Sequence, residues 1–196
     1  GKRGRPARGE RREPKPLSRL ERQVTQEPEA ALREIPVGCD VGKKRNSQGH
    51  QETWIGYKLH ADVNEYGFPI SAVLSSASVH DSQVAIPLMK MTSSKVDYLY
   101  DLMDSAYDAQ PIYEVSRGLG HVPLIEKNPR GREVLPMAPH EAIRYNERTA
   151  SERFNNRLKE EFGGHHVRVR GYEKVKLHLM FGVIALFADQ LIKLIE

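Results

Sequence analysis

The sequence predicts an α/β domain with a mixed sheet flanked by helices, on three observations. Three β-type segments follow one another between Val37 and Leu74, with a short turn between the second and third, which favours antiparallel pairing. A strand, helix, strand order then follows between Asp97 and Ile125, and such a unit returns its second strand parallel to the first. Finally, 196 residues, of which 39% are hydrophobic, suffice for one domain with a real core plus extra segments.

Gly1 to Pro16 is rich in Gly, Pro and Arg with almost no apolar residues, so it cannot bury a core and is expected to be disordered. A solvated linker and a non-specific DNA-binding arm fit this stretch equally well. Leu17 to Leu32 predicts a short, weak helix. Val37 to Val41 is a short β-type run carrying Asp40. Trp54 to Val63 and Phe68 to Leu74 alternate as strands around the turn Asn64-Glu65-Tyr66-Gly67. His80 to Met91 predicts a helix with Asp81 as its N-cap and Pro87 interrupting or bending it. Asp97 to Leu102 is a short strand ending near Asp104. Ala109 to Arg117 is a helix stopped by Gly118 to Gly120, and His121 to Ile125 is the next strand. After a loop over Lys127 to Pro139, Glu141 to Glu161 predicts one continuous helix stopped by Gly163-Gly164. Lys174 to Glu196 predicts a long apolar helix, buried over much of its surface. The domain boundary is accordingly expected at 34/35, with a basic, largely disordered segment over 1–34 and a catalytic domain over 35–196.

Charge supports that division. Residues 1–34 carry ten of the 30 Lys and Arg and six of the 26 Asp and Glu, so residues 35–196 hold 20 of each sign and are neutral. A neutral body still binds DNA through local basic clusters, because phosphate contacts depend on the local field. The single cysteine, Cys39, excludes an internal disulfide framework and fits a reducing compartment. The first residues lack the apolar stretch of a signal peptide, and the longest apolar run, Leu179 to Ala188, is too short for a bilayer span. A soluble, cytoplasmic protein without a membrane partner is expected.

The chemistry concentrates on the Glu141 to Glu161 segment. Tyr145, Arg148, Glu152 and Lys159 are separated by three, four and seven residues, which on a continuous helix places them within roughly 60° of one face. A surface Arg–Glu pair is ordinary, but it does not account for Tyr145 and Lys159 on the same face. In a functional reading Glu152 is a hard oxygen ligand for Mg²⁺, Arg148 and Lys159 contact phosphates, and Tyr145 stacks on a displaced base or bonds a phosphate. One carboxylate cannot hold a pair of ions. Asp40 in an apolar strand and Asp104 after another are the candidate partners, two carboxylates at positions where sheets of this kind collect sites. Three carboxylates on two ions can activate a water or a 3′-hydroxyl for in-line phosphoryl displacement. Taken singly, Asp40 also fits a turn residue and Asp104 a helix N-cap. Lys58 and His60 alternate on a strand beside Asp40, where they either reach a phosphate or are ordinary strand residues. His165-His166 with Cys39 lacks zinc-like spacing and fits a polar turn better. Arg168, Arg170, Lys174 and Lys176 form a basic cluster that suits a DNA backbone or a solvated face.

The stretch Tyr145 to Lys159 (YNERTASERFNNRLK) matches a Tyr-x2-Arg-x3-Glu-x6-Lys pattern at every position. It resembles the DDE (Asp-Asp-Glu) transposases of bacterial insertion sequences that carry that signature. The segments around Asp40 (GCDVGKKRNSQGHQETWIGYKLH), His80 (SASVHDSQ) and Asp104 (DLMDSAYDA) are similar to the same group, over about residues 36–196. The last departs from the usual Asp-x-Gly-Tyr-Asp at Ala106, which leaves Asp101 and Asp108 as rivals of Asp104. The resemblance implies a ribonuclease-H-like fold with the first Asp on the first strand, the second just after the fourth, and the Glu on a later helix. It also implies metal-dependent phosphodiester hydrolysis at transposon ends and strand transfer into target DNA. Asp40, Asp104 and Glu152 would then be catalytic and would ligate two Mg²⁺ ions, with Mn²⁺ as the alternative; Tyr145, Arg148, Lys159, Lys58 and His60 would bind DNA. The partners expected are double-stranded transposon ends, target DNA and a second copy of the chain in the bacterial nucleoid. A catalytically inactive or truncated DNA-binding remnant and a ribonuclease-H-like nuclease unrelated to transposition remain open as alternatives.

Overall fold

A computed structural model of the chain describes residues 15–45, 49–131 and 133–195. Its centre is an antiparallel sheet of β1 (Asp40–Arg45), β2 (Gln51–Val63) and β3 (Pro69–Ser76) in that spatial order. The β2–β3 turn forms where the sequence places it. Asn64 Oδ1 accepts from the amides of Tyr66 (3.1 Å) and Phe68 (2.9 Å), and Gly67 supplies a φ of +86° that a side chain would strain. β1 starts at Asp40, so Val37 to Cys39 lie outside the strand expected there. Pro36 instead spends its carbonyl on the Ser76 amide (2.8 Å), at the end of β3.

β2 distributes the layers. Its odd residues Leu59, Ala61 and Val63 point to one face and pack with Phe154, Leu158, Val183 and Leu186. Its even residues Lys58, His60 and Asp62 point to the other, where α3 (Ser82–Ser93) lies. α3 joins β4 (Tyr100–Met103), α4 (Gln110–Gly118) and β5 (Val122–Ile125) around a core of Ala85, Ile86, Met89, Ile112, Val115 and Ile125. β4 and β5 pair in parallel with α4 as the crossover, as expected. The described strands form two sheets, however, one of three strands and one of two, rather than one mixed sheet: β1 and β4 share no hydrogen-bonded register.

The segment expected to be largely disordered contains two helices within its described part. α1 (Arg19–Gln23) opens with a capping box between Ser18 and Glu21, and α2 (Pro28–Arg33) follows. Residues 1–14 lie outside the described residues. Pro87 explains why α1 docks. A proline in mid-helix leaves the carbonyl four residues back without its amide partner. That carbonyl, Gln83 O, accepts instead from Nε2 of the fully buried Gln23 (2.9 Å). Lys90 then reaches across to the carbonyls of Gln23, Val24 and Gln26 at the end of α1. Leu20 and Val24 join the α3–α4 core, and Leu32 packs with Ile35 and Val84. No packing break therefore falls at residue 35.

On the opposite face, α6 (Thr149–Glu160) lays Ala150, Phe154 and Leu158, spaced by four, against β2 and α7 (Tyr172–Ile195). α7 buries Val175, Leu179, Gly182, Val183 and Leu186. Much of its remaining surface is exposed and apolar, which corrects the expectation of a mostly buried helix; Phe181 and Ile184 are each 62% exposed. Its 24 residues make it, among the described helices, the one long and apolar enough to cross a membrane by length and composition. Its seat on the core and the ion pair of Asp189 with Arg157 of α6 tie it to the domain instead.

Gly182 is the tightest point of that seat, because a Cβ there would stand 2.5 Å from the Phe162 carbonyl oxygen and 3.1 Å from Leu158. Backbone cannot step aside as a side-chain tip can. Gly182→Ala is therefore expected to destabilise the domain by about 1–3 kcal/mol despite the better helix propensity of alanine, read as a lowered midpoint in urea unfolding.

Candidate active site

A cleft of about 1970 Å³ opens between β2, β4 and α6. Asp104 and Glu152 both line it, together with Arg148, Lys159, Lys58, His60 and Asp81. Asp40 does not; its neighbour Cys39 does.

Asp40 is the first residue of β1, paired in register with Gly56 of β2. Gly56 has φ +147°, and a Cβ there would meet nothing within 4 Å, so the backbone opposite Asp40 is open. The Asp40 carboxylate accepts from the Val41 amide (2.7 Å), and bonds from the Ser78 hydroxyl and that amide hold its pKa below the usual carboxylate range.

Asp104 immediately follows β4. It caps the 3₁₀ turn Ser105–Tyr107 by accepting from the Ala106 amide (2.9 Å), so the N-cap role that the sequence allows is real. Capping occupies one oxygen only. Its two rivals accept more hydrogen bonds. Asp101 is buried and accepts from Tyr98 Oη (3.0 Å), Ser116 Oγ and His121 Nδ1 (3.1 Å), a network that ties β4 to α4 and β5. Asp108 accepts from Tyr113 Oη and the Asn128 amide, both at 3.1 Å, and pins the loop after β5.

Glu152 sits on α6, and the helix carrying it is not continuous. The expected Glu141 to Glu161 helix is broken into α5 (Pro139–Tyr145), a 3₁₀ turn at Asn146–Arg148, and α6. The two halves dock on different partners: Arg144 stacks 5.1 Å from the Tyr100 ring and Tyr145 bonds Glu126 at 3.5 Å, whereas α6 docks on β2 and α7. Asn146 and Thr149, weak helix formers, bracket the break. The single 60° face is therefore replaced by a contact chain. The Arg148 guanidinium lies 5.5 Å from the Tyr145 ring and 2.9 Å from the Glu152 carboxylate. Glu152 and Lys159, seven apart, do share one side of α6, turned away from the Ala150–Phe154–Leu158 stripe; both are exposed.

Lys58 and His60 line the same cleft and have protein partners there. Lys58 Nζ donates to Asp81 (3.0 Å) and to the Val79 carbonyl (2.9 Å). His60 is buried, bonded to Ser75 Oγ (2.8 Å) and 3.5 Å from Asp81. Burial pushes the His60 pKa down to about 4 against the attraction of Asp81, so at neutral pH the ring is uncharged. Asp81 is the carboxylate that sequence reasoning left as a plain N-cap. It makes no side-chain cap bond and turns to Lys58 and His60 instead. The charges of Asp81, Asp104 and Asp62 also act on the buried Tyr107 hydroxyl, whose pKa is raised chiefly by burial. The adjacent His80-Asp81 pair before a helix was the available signal.

Carboxylate oxygens suit a hard divalent cation by ligand type. Among the described residues, though, no three His, Cys, Asp or Glu side chains are gathered closely enough to hold a metal ion, zinc included. A model for the family described as "Transposase DDE domain" matches residues 23–188. No curated protein and no solved structure matches the chain.

Asp62 supplies a titration that is independent of these roles. Burial raises its pKa to about 6, and the nearby Asp101 charge adds to the rise. A folded pKa above the unfolded one means that the charged form costs stability in full above pH 6, and that the cost fades as pH falls toward 4. Asp62→Asn is thus expected to stabilise the fold by on the order of 2 kcal/mol at pH 7.5, with the gain shrinking to near zero at pH 4. Thermal melts of both proteins across that range measure it.

Proposed function

The chain belongs to the transposase DDE domain family, and on that premise we propose that it is the catalytic part of a bacterial insertion-sequence transposase with the Tyr-Arg-Glu-Lys signature. Members of the family act on DNA and generally use divalent metals. The proposed reaction is hydrolysis of a phosphodiester at a transposon end, followed by attack of the freed 3′-hydroxyl on target DNA. The observation that carries the reading is one cleft lined by Asp104 and Glu152 with Arg148 and Lys159 beside them.

In this reading Asp40, Asp104 and Glu152 are the ligands of two Mg²⁺ ions, or Mn²⁺, which when bound supply activation of the attacking oxygen. The chain's own groups do the remainder. Lys159 contacts a phosphate on the exposed side of α6, and Tyr145 stacks on a displaced base. Arg148 holds Glu152 while the site is free of DNA and turns to a phosphate when DNA enters. We further propose that the two sheets belong to one ribonuclease-H-like sheet. The unpaired edges of β1 and β4 support this, because each strand carries a proposed ligand at one end. Closing those edges would bring Asp40 to Asp104. Lys58 and His60 are better assigned to holding Asp81 than to DNA, on the contacts above. The protein would work as a homodimer on double-stranded transposon ends and target DNA, within the bacterial nucleoid.

Two variants test the assignment. Glu152→Gln is expected to lower Mg²⁺- or Mn²⁺-dependent nicking of supercoiled plasmid by at least ~10³-fold, in line with the loss of a group acting on the transition state, while plasmid affinity stays within about twofold. Normal nicking by that variant sinks the assignment. Lys159→Ala is expected to weaken DNA binding and to reduce the slope of log affinity against log salt by about 1, as measured by fluorescence anisotropy.

A further inference from the structure

We infer that the outward face of α7 is a self-pairing surface through which two copies of this chain join by antiparallel α7 helices. This specifies the dimer named above but rests on α7 alone and on none of the proposed ligands.

α7 is apolar on two opposite sides. At about 100° per residue, Val175, Leu179, Gly182, Val183 and Leu186 span an arc of roughly 100° that faces the domain's own core. Leu177, Phe181, Ile184, Ala188, Leu191 and Ile195 span roughly 80° on the far side. These residues are exposed, Leu177 by 59%, Leu191 by 42% and Ile195 by 78%. A helix that only covers a core needs the first stripe and gains nothing from the second.

The second stripe has the spacing of a helix–helix seam. Its steps are four, three, four, three and four residues, a 3.5-residue period, which knobs-into-holes pairing requires and a solvated face does not. The steps also read the same from either end. An antiparallel copy therefore sets Leu177 against Ile195, Phe181 against Leu191 and Ile184 against Ala188, apolar against apolar at every step. A two-fold interface needs this self-complementarity, whereas a partner of another kind gives no reason for it. The seam runs about 27 Å along the helix. With Ile192 and Leu194 open beside it, the strip amounts to several hundred Å² of apolar surface. A contiguous apolar strip on the order of several hundred Å² is the mark of an interaction surface, and a dimer buries a surface of that order on each partner. A membrane is the weaker occupant: lipid all round α7 would strip Val183 and Leu186 from Phe154 and Leu158 and break the Arg157–Asp189 pair.

Sedimentation velocity of the full 196-residue chain without DNA tests the proposal. A dimer is expected at micromolar concentration. Phe181→Asp and Ile184→Asp, both at exposed positions, are each expected to raise its dissociation constant on the order of 100-fold or more while the circular dichroism spectrum and melting temperature are retained. In a Cys39→Ser background, Phe181→Cys with Leu191→Cys is expected to give an oxidised covalent dimer and Leu191→Cys alone is not. A monomeric parent chain, a dimer indifferent to both aspartates, cross-linking through Leu191→Cys alone, or a monomer that floats with phosphatidylcholine vesicles would each overturn it. Plasmid nicking by the monomeric variants reports separately on the catalytic reading, so failure of one is not failure of the other.

Discussion

The alternation of β2 is the constraint on which the other layers depend. A strand that points successive side chains to opposite faces can serve two layers only if both sets are suited to burial. The odd residues Leu59, Ala61 and Val63 are apolar and receive α6 and α7. The even residues Lys58, His60 and Asp62 are polar; the first two have specific partners, and burial raises the pKa of the third. Lys58 and His60 meet Asp81, and His60 also bonds Ser75. A slip of one residue in the β2–β3 register would exchange these sets and put three titratable groups under α6. The orientation of Glu152 follows from the same alternation, since α6 docks through Ala150, Phe154 and Leu158 and so turns Glu152 and Lys159 outward.

Local bonds hold each proposed ligand in a separate way. Asp40 is held by Val41 and Ser78, Asp104 by the turn that it caps, and Glu152 by Arg148. None of the three is buried without a partner. Releasing the local contacts of each costs little, because exposed, partly solvated ion pairs and caps contribute little. The buried Asp101 network is the contrast. Its three donors lock it to structure, and removing any one would leave a buried carboxylate short of a partner.

Distant sequence elements are tied through single polar contacts. The carbonyl that Pro87 leaves unpaired in α3 recruits Gln23 from α1, and Lys90 closes over the same helix end. A residue that disrupts one helix thus provides the docking point for another. This is also why a segment with a basic, linker-like composition is helical where it is described. Its stability comes from α3 and not from its own propensity, which is weak for helices of five and six residues.

Local patterns in the sequence determined the order and type of nearly every element: the Asn64–Gly67 turn, the β4–α4–β5 unit and the apolar run of α7 follow from spacing and turn chemistry. The Tyr145 to Lys159 spacing and the segments around Asp40 and Asp104 pointed to the family that residues 23–188 match. Only the tertiary structure decided which carboxylates have oxygens to spare. The pattern DLMDSAYDA contains three aspartates with equal claims, and their difference lies in partners 2 to 20 residues away. It showed that Lys58 and His60 both contact Asp81, because the partner a strand residue meets belongs to the layer above the strand and not to the strand. It broke the helix before Glu152, since α5 and α6 dock on different surfaces. It also exposed the second face of α7, whose hydrophobicity the sequence records but which none of the described residues covers.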